Sequence, residues 1–349
     1  MQITIGHRHI GDSRPCFIIA EAGSNHNRDF DTAIRLIDVA ADAGADAVKF
    51  QIFAAEKIYS KKTPMASYLK DKKLAKDGET LWDIIKRLEI PRGWTDQLMS
   101  HCRKKNIMFL CTPFDIPAVE ELEAAGVEAY KIASFEITHL PLIERVARTG
   151  KPLILSTGMA NLEDIEVALQ TFKQAGGRDV ALLHCAIAYP PAYENLHLRA
   201  MDTLRQAFQA PVGFSDHTMG YITDVAAVAR GACIIEKHCT LSRNQEGPDH
   251  PFSLEPHELK EMVTAIRQTE AALGSPIKHH TAAEQELYRI ARRSLVAARA
   301  IPRGSVITRD MIEVKRPGFG IPTRFLDLVV GRRAVRDIEE DDILTWDMV

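Results

Sequence analysis

The 349-residue chain lacks the features that mark several specialised classes of protein. It has no run of about 18 apolar residues that could cross a bilayer, and its first residues lack the basic-then-apolar order of a secretory signal. Its charges nearly balance, with 44 lysines and arginines against 47 aspartates and glutamates, so no basic surface for nucleic acid is indicated. These absences predict a cytoplasmic protein that binds neither a membrane nor a nucleic acid.

Cysteine is also sparse, and no phosphate-binding glycine loop is present. The six cysteines include no Cys-x-x-Cys pair, and four of them lie in strand-like apolar runs, which is typical of reduced, packed thiols. The sequence contains no Gly-x-x-x-x-Gly-Lys motif, which disfavours a nucleoside triphosphate as ligand.

What the sequence does contain is an alternation of short apolar segments with amphipathic ones. Eight strands are predicted, at 17–23, 46–53, 107–114, 129–134, 152–157, 181–186, 211–217 and 233–240. Helices are predicted between them, including 31–44, 116–126, 161–176 and 224–231. Strand and helix taking turns indicates a parallel sheet, and eight such units in about 250 residues predict an α/β fold, a closed (β/α)₈ TIM barrel.

The barrel does not use the whole chain. We predict a catalytic barrel over residues 1–275, a polar linker over 276–287 and a small β-rich domain over 288–349. The charged segment 60–78 is longer than one barrel unit needs, and we predict a loop there that covers a substrate at the barrel mouth.

Polar side chains end every predicted strand. Because the carboxyl ends of barrel strands surround one mouth, these side chains should share one pocket; Asp216, Glu236 and Lys237 belong to this set. Two strand-end lysines, Lys49 and Lys131, indicate an anion site, although a single such lysine could equally reach solvent. Four hydroxyls would donate hydrogen bonds to phosphate oxygens there: Thr112, Ser134, Ser156 and Ser215.

Two histidines close neighbouring strands. His217 and His238 would lie close enough to share a divalent metal, and two protein ligands leave open the positions that a catalytic ion needs. Glu136, near Lys131, is the best candidate for orienting or deprotonating a water molecule, with a plain salt bridge to a lysine as the alternative.

The ordered motifs now identify a resemblance. The segments "IIAEAGSNHN", "DAVKFQ", "YKIAS", "STGM", "GFSDHT", "EKHCTL", "GPDHPFSLEP" and "KRPGFGI" resemble those of the N-acetylneuraminate (sialic acid) synthase family. The likeness runs from about residue 15 to the end of the chain and includes a terminal antifreeze-protein-like (SAF, β-clip) domain. It implies condensation of phosphoenolpyruvate with an N-acetylated hexosamine of the N-acetylmannosamine type, dependent on Mn²⁺ or Mg²⁺.

The resemblance also implies a role for each site residue. Phosphoenolpyruvate contacts fall on Lys49, Thr112, Lys131, Ser134, Ser156 and Ser215. Metal ligands fall on His217 and His238, and the catalytic set is Glu136, Lys49, Lys131, His217 and His238. Sugar contacts fall on Glu21, Gln51, Glu136, Tyr189, Asp249 and Arg316. Arg316 would come from the partner subunit, which implies a domain-swapped homodimer.

Two positions depart from the family pattern. Ala186, Ile187 and Ala188 stand where a polar residue is usual, and Arg28 stands where glycine is usual. Near the last barrel helix, Ser253 is the expected N-cap. The open alternatives are N,N'-diacetyllegionaminate, pseudaminate or spore-coat sugar synthesis, a 6-phosphorylated acceptor, and a non-catalytic carbohydrate-binding scaffold.

Overall fold

The computed structural model of the protein describes residues 1–65 and 79–349, which form two compact units. The first unit is Met1–Gly274 and the second is Ser275–Val349. The predicted covering loop, 60–78, lies mostly outside the described residues, so its role stays a prediction.

The first unit is built around a ring of parallel strands. Within the described residues the eight strands are β3 (Phe17–Gly23), β4 (Ala47–Ile52), β5 (Met108–Pro113), β6 (Tyr130–Ile132), β7 (Leu153–Ser156), β8 (Val180–Cys185), β9 (Val212–Asp216) and β10 (Ile234–His238). Their order is β5-β4-β3-β10-β9-β8-β7-β6, with parallel pairing at every hydrogen-bonded step. β5 and β6 lie side by side and complete the ring. The predicted barrel and its eight strands are confirmed.

Helices follow the strands. Those of the first unit are α1 (Phe30–Ala43), α2 (Ala55–Ile58), α3 (Leu81–Leu88), α4 (Thr95–Lys105), α5 (Ile116–Ala125), α6 (Leu140–Ala147), α7 (Leu162–Gln174), α8 (Ala200–Phe208), α9 (Ile222–Ala229) and α10 (Pro256–Leu273). Local signals explain several ends: Asn161 and Asp164 form a capping box on α7, and Gly44 ends α1 at φ 83°. No helix in the described part of the chain is long and apolar enough to cross a membrane.

The N-cap predicted for α10 is wrong. Glu255 is the N-cap, and its capping box with Glu258 occupies the first turn that Ser253 was expected to begin. Ser253 instead donates its hydroxyl to the Asp249 carbonyl oxygen at 2.7 Å and accepts from Asn25 Nδ2 at 2.9 Å. It therefore ties the loop after β10 to the loop after β3.

An antiparallel hairpin, not anticipated from the sequence, precedes the barrel. Its strands are β1 (Gln2–Ile5) and β2 (Arg8–Gly11). Their inward side chains, Ile3, Ile5 and Ile10, pack against the amino-terminal ends of barrel strands and form one buried cluster with Phe17 and Leu110. The hairpin therefore closes the end of the barrel opposite the mouth.

The second unit has a core of its own and is β-rich, as predicted for an SAF domain. β11 (Ser294–Ala297) pairs antiparallel with β12 (Ile312–Lys315). Two short helices, α11 (Gln285–Ile290) and α12 (Leu326–Val329), accompany them. Leu295, Ile307 and Leu344 are fully buried in a cluster confined to this unit.

Side-chain alternation on β9 and β10 decides what reaches the mouth. Because successive strand residues face opposite sides, Ser215 and His217 on one strand, and Glu236 and His238 on the other, point into the barrel. Asp216 and Lys237 point outward, toward the helices, so their predicted place in the pocket is wrong.

The outward pair forms a buried ionic network. Lys237 Nζ donates to Asp216 Oδ2 at 2.5 Å and to the Thr218 carbonyl oxygen at 2.8 Å, and it lies 3.6 Å from Asp224 Oδ2. All three charged side chains are fully inaccessible to solvent. The network joins β9, β10 and α9 behind the two histidines.

Replacing Lys237 should therefore be costly. Lys237→Met leaves the buried Asp216 and Asp224 carboxyls without their cation, and we expect the free energy of unfolding to fall by about 3–5 kcal/mol. Urea unfolding followed by circular dichroism measures this loss. Lys260→Met, on an exposed face of α10, is the control and should change stability by less than about 0.5 kcal/mol. Equal effects of the two variants would contradict the network's role.

Candidate active site

One cavity opens at the carboxyl ends of the barrel strands, where the polar strand-end residues were expected to meet. It spans about 1190 Å³, a volume that includes open solvent at its mouth. Its lining includes every residue of the first unit to which a substrate, metal or catalytic role was assigned: Glu21, Lys49, Gln51, Thr112, Lys131, Ser134, Glu136, Ser156, Tyr189, Ser215, His217, His238 and Asp249. Arg316 lies in the second unit, where its Nε donates to the Ala291 carbonyl oxygen at 2.8 Å.

Buried ion pairs form the floor of the cavity. Lys49 Nζ lies 2.8 Å from Glu21 Oε2 and 3.7 Å from Glu236 Oε2. Lys131 Nζ lies 3.4 Å from Glu236 Oε1, the oxygen that also accepts from Ser215 Oγ at 3.1 Å. The Glu236 carboxylate therefore bridges the two lysines, which lie together at the floor of one cavity, as predicted.

The charged groups of the floor shift one another's pKa values. Burial opposes the charge on Lys49, but the neighbouring Glu21 and Glu236 outweigh it and raise its pKa. Burial lowers the pKa of Lys131, and Glu236 only partly compensates. Burial would raise the pKa of Glu236, but the two lysines hold it below its usual range, whereas burial dominates at Glu21 and raises its pKa. Of the two acids, Glu236 therefore holds its negative charge more firmly than Glu21. Of the two lysines, Lys131 is less well stabilised by neighbouring carboxylates than Lys49.

Three hydroxyls around the floor differ in how they are satisfied. Thr112 Oγ1 accepts from Lys49 Nζ at 3.0 Å, and Ser134 Oγ accepts from the Gly158 backbone N–H at 2.9 Å. Ser156 Oγ is buried and has no hydrogen-bond partner within residues 1–65 and 79–349. A buried hydroxyl without a partner carries a desolvation cost that a ligand oxygen would remove.

The two histidines lie together, as predicted. The ring centroids of His217 and His238 are 5.3 Å apart, and Phe252 packs against both rings. Burial lowers the pKa of His217 to about 4 and that of His238 well below its usual range. Both imidazoles are therefore neutral at physiological pH, which is the form that binds metals.

The histidine pair fits a divalent ion with open coordination positions. Among the described residues, His238 Nδ1 is buried without a hydrogen-bond partner, and His217 Nδ1 lies 3.8 Å from the Cys185 thiol. No group of three or more His, Cys, Asp or Glu side chains suited to a metal occurs within the described residues. Two imidazoles resemble an open catalytic site more than a closed structural one.

The predicted sugar contacts surround the histidines and the floor. Gln51 Nε2 donates to Glu21 Oε1 at 2.6 Å, and the Tyr189 ring lies 4.8 Å from the His217 ring. Asp249 Oδ2 accepts from Ser24 Oγ at 3.3 Å and lies 3.9 Å from His238 Nδ1. Burial raises the pKa of Asp249 to about 6.

Glu136 stands apart from the ion pairs. It closes a single 3₁₀ turn directly after β6, Ser134–Glu136, and is buried. Its Oε2 has no hydrogen-bond partner, and the described residues contain no ion pair to its carboxylate, so the plain salt-bridge alternative has no support there. Burial raises the pKa of Glu136 to about 8, partly countered by the charge of Lys131. Such a carboxyl exchanges a proton near neutral pH.

The departures from the family pattern have clear positions. Ile187 lines the cavity and offers no hydrogen bond there. Arg28 adopts a left-handed conformation at φ 57°, and its Nη1 donates to the Lys86 carbonyl oxygen in α3 at 3.3 Å. Arg28 therefore holds a helix at the mouth.

Glu236 is the residue that the sequence analysis undervalued. It was noted as a strand-end acid but given no role. Its spacing from His238 was the available signal, because residues two apart on a strand face the same side.

Comparison with known proteins identifies the family of the chain. The NeuB family model matches residues 36–278 and the SAF domain model matches residues 292–349. An N,N'-diacetyllegionaminic acid synthase of Campylobacter jejuni is 43% identical over 94% of this chain and 98% of its own length. The spore coat polysaccharide biosynthesis protein SpsE of Bacillus subtilis is 40% identical over 98% of this chain and 96% of its own.

A solved structure of a related enzyme is also similar to this chain. The N-acetylneuraminic acid (sialic acid) synthetase of Leptospira borgpetersenii serovar Hardjo-bovis, crystallised with citrate, matches with a TM-score of 0.73 and 38% identity, covering 82% of this chain and 94% of that one. Relatives of this kind are synthases, which disfavours the non-catalytic scaffold. The chain belongs to the NeuB family and is a synthase of the nonulosonic (sialic) acid type, a barrel enzyme with a C-terminal SAF domain.

Proposed function

We propose that the enzyme condenses phosphoenolpyruvate with the open-chain form of an N-acetylated hexosamine, giving a nine-carbon 2-keto-3-deoxy acid and phosphate. The observation that carries this is a set of buried polar atoms in one cavity that have no hydrogen-bond partner among the described residues: Ser156 Oγ, Glu136 Oε2 and His238 Nδ1. Together with two buried lysines, they fit an anion, a water molecule and a metal ion respectively.

Phosphoenolpyruvate fits the floor. Its phosphate and carboxylate need cations and hydroxyl donors, which Lys49, Lys131 and the nearby hydroxyls of Ser134, Ser156 and Ser215 supply. Glu236 holds the two ammonium groups in place before the substrate arrives. The lysines are therefore positioned in advance, which lowers the reorganisation cost of binding.

His217 and His238 would hold Mn²⁺ or Mg²⁺. When bound, such an ion polarises the aldehyde oxygen of the acceptor. The pair can do this because both imidazoles are neutral and His238 Nδ1 has no hydrogen-bond partner in the described part of the chain. Tyr189 and Phe252 pack around the rings and restrict their rotation.

The bond changes follow from this arrangement. The C3 carbon of phosphoenolpyruvate attacks the aldehyde carbon, and the carbonyl electrons become an alkoxide that takes up a proton. The positive charge left at C2 is quenched by water, which loses a proton as it adds. The C2–O bond to phosphate then breaks, so that the keto oxygen derives from water and Lys49 and Lys131 stabilise the departing anion. Glu136 is positioned to orient that water and to accept its proton.

The acceptor is an N-acetylated hexosamine, and we propose two candidates within this class. N-acetylmannosamine gives N-acetylneuraminate, as the solved relative's name suggests. A diacetylated 6-deoxy sugar gives N,N'-diacetyllegionaminate, the product named for the Campylobacter jejuni relative. Pseudaminate-type, spore-coat-type and 6-phosphorylated acceptors share the same chemistry and differ only in contacts to the sugar.

The test is phosphate release. With phosphoenolpyruvate, Mn²⁺ and either candidate sugar, we expect phosphate to be released in step with loss of the sugar. His238→Ala should reduce turnover at least about 100-fold and abolish Mn²⁺ binding measured by calorimetry, because one imidazole cannot hold the ion. His257→Ala, exposed on α10, is the matched control. Full activity of His238→Ala would remove the metal assignment, and no release with any N-acetylated hexosamine would remove the proposed function.

The raised pKa of Glu136 predicts a pH-dependent stability. In the unfolded chain a glutamate loses its proton near pH 4.5, and in the folded ligand-free protein near pH 8, so raising the pH across this window favours unfolding. Glu136→Gln cannot ionise, so its stability relative to wild type should grow by up to about 1.4 kcal/mol per pH unit between pH 5 and 8. Chemical unfolding at several pH values measures this. A difference that does not change with pH, or that also occurs in the exposed Glu194→Gln control, would contradict the assignment.

We also propose the domain-swapped homodimer, in which each barrel uses Arg316 of the partner subunit. Arg316→Ala and Lys49→Ala should each lose activity alone. Co-refolded together they should recover up to roughly a quarter of wild-type activity, because half of the dimers are mixed and each mixed dimer has one intact site. Activity against mixing ratio measures the recovery. No recovery, with mixed dimers shown by mass spectrometry, would count against the swap.

A further inference from the structure

The lining of the cavity is uneven. Charged and hydroxylated side chains concentrate at the floor and around the histidines, although Phe135 and Ile187 also line the cavity. The segment after β4 contributes five side chains that we call the apolar wall: Ile58, Tyr59, Ile84, Ile85 and Leu88. The wall belongs to α2, α3 and the turn after α2.

The apolar wall is a packed structure. Leu81 and Ile84 are buried at its centre, and Tyr59, Met65, Ile85 and Leu88 pack against them. Ile85 and Leu88 are only half-buried and lie one turn apart on α3, so they present their remaining surface to the cavity.

Polar contacts fix α3 at both ends. Thr80 and Asp83 form a capping box at its start. At its end, Arg28 donates to the Lys86 carbonyl oxygen, and Glu89 accepts from the Ala55 backbone N–H at 2.7 Å, which ties α3 to α2. The wall is therefore held in place by the loop after β3 as well as by its own packing.

The apolar wall faces the reacting groups. Tyr59 lies near enough to Glu136 that burial and the Glu136 charge together raise its pKa. The acceptor aldehyde must lie at the histidines and the phosphoenolpyruvate, on the polar side of the cavity. The carbon atoms furthest from the aldehyde then extend toward the mouth, where α3 provides one side.

We propose that Ile85 and Leu88 select an acceptor with a methyl group, rather than a hydroxymethyl or phosphorylated group, at the carbon furthest from the aldehyde. A hydroxyl against these side chains would lose water without gaining a hydrogen bond, whereas a methyl group gains apolar contact. Among the described lining residues, the lysines and arginines are Lys49 and Lys131, both engaged with carboxylates at the floor. The inference rests on the proposed function and specifies its substrate as a 6-deoxy, N-acetylated hexosamine.

A matched pair of sugars tests the inference. N-acetylmannosamine and its 6-deoxy analogue differ by one oxygen atom, and both are assayed by phosphate release with phosphoenolpyruvate and Mn²⁺. We expect kcat/KM to be about 10 to 100 times higher for the 6-deoxy sugar, the range that one group in an apolar pocket provides. In Leu88→Asn the ratio should fall to within about threefold of one, mainly through a higher KM for the 6-deoxy sugar.

Controls separate selectivity from folding. Leu88→Met keeps an apolar surface and should keep the ratio. Leu162→Asn, an exposed leucine on α7 outside the cavity lining, should leave the ratio unchanged. Thermal unfolding and activity of Ile85→Asn give a second reading should Leu88→Asn be unstable.

The outcomes distinguish the two proposals. Phosphate release at equal kcat/KM for both sugars, or a ratio unaffected by Leu88→Asn and Ile85→Asn, overturns the role of the wall and leaves the proposed function standing. No phosphate release with any N-acetylated hexosamine overturns the proposed function, and this inference with it.

Discussion

The carboxylate of Glu236 between Lys49 and Lys131 is the contact on which the site depends. Two ammonium groups buried in one cavity would repel each other and would each pay a large desolvation cost without a shared counter-ion. With Glu21 as a second acid, the floor is nearly neutral before any substrate binds. An anionic substrate that binds at this floor would therefore meet cations that are already placed, and the raised pKa of Glu21 gives the floor a group that can take up a proton as negative charge arrives.

The same strand serves stability and chemistry on its two faces. On β10, Glu236 and His238 face the cavity, while Lys237 between them faces the helices and pairs with Asp216. β9 and the residue after it repeat the arrangement, with Ser215 and His217 lining the cavity. An ion pair behind the two candidate metal ligands joins β9 to β10 and restricts the distance between the imidazoles. The polar residues of this region thus divide into those that face the cavity and those that join the strands behind it.

The sequence was sufficient to predict the features that depend on local residue patterns or on the parallel arrangement of strands. The eight strands follow from short β-branched runs bounded by helix caps, and the shared cavity follows because parallel strands place all their carboxyl ends at one mouth. The bridging role of Glu236 could not be predicted from β10 alone, since its partners come from β4 and β6, far away in the chain. Asp216 and Lys237 were misplaced because the strand-end rule ignored which face each residue occupies. Ser253 is not the N-cap of α10, because Glu255, two residues later, forms a capping box with Glu258 and begins the helix.

Arg28 shows how a departure from a family pattern gains meaning only in three dimensions. Arg28 stands where the family usually has glycine; it is exposed to solvent, and its Nη1 donates to the carbonyl oxygen of Lys86 near the end of α3. The barrel strands fix the chemistry through buried charges that tolerate little movement, whereas α2 and α3 are attached to the mouth by caps and single hydrogen bonds. Changes in this attached segment can alter the surface that meets the sugar without disturbing the floor. Relatives of similar identity to this chain are named for different sugar acids, N,N'-diacetyllegionaminic acid and N-acetylneuraminic acid, and such a division would allow the acceptor to change while the floor stays the same.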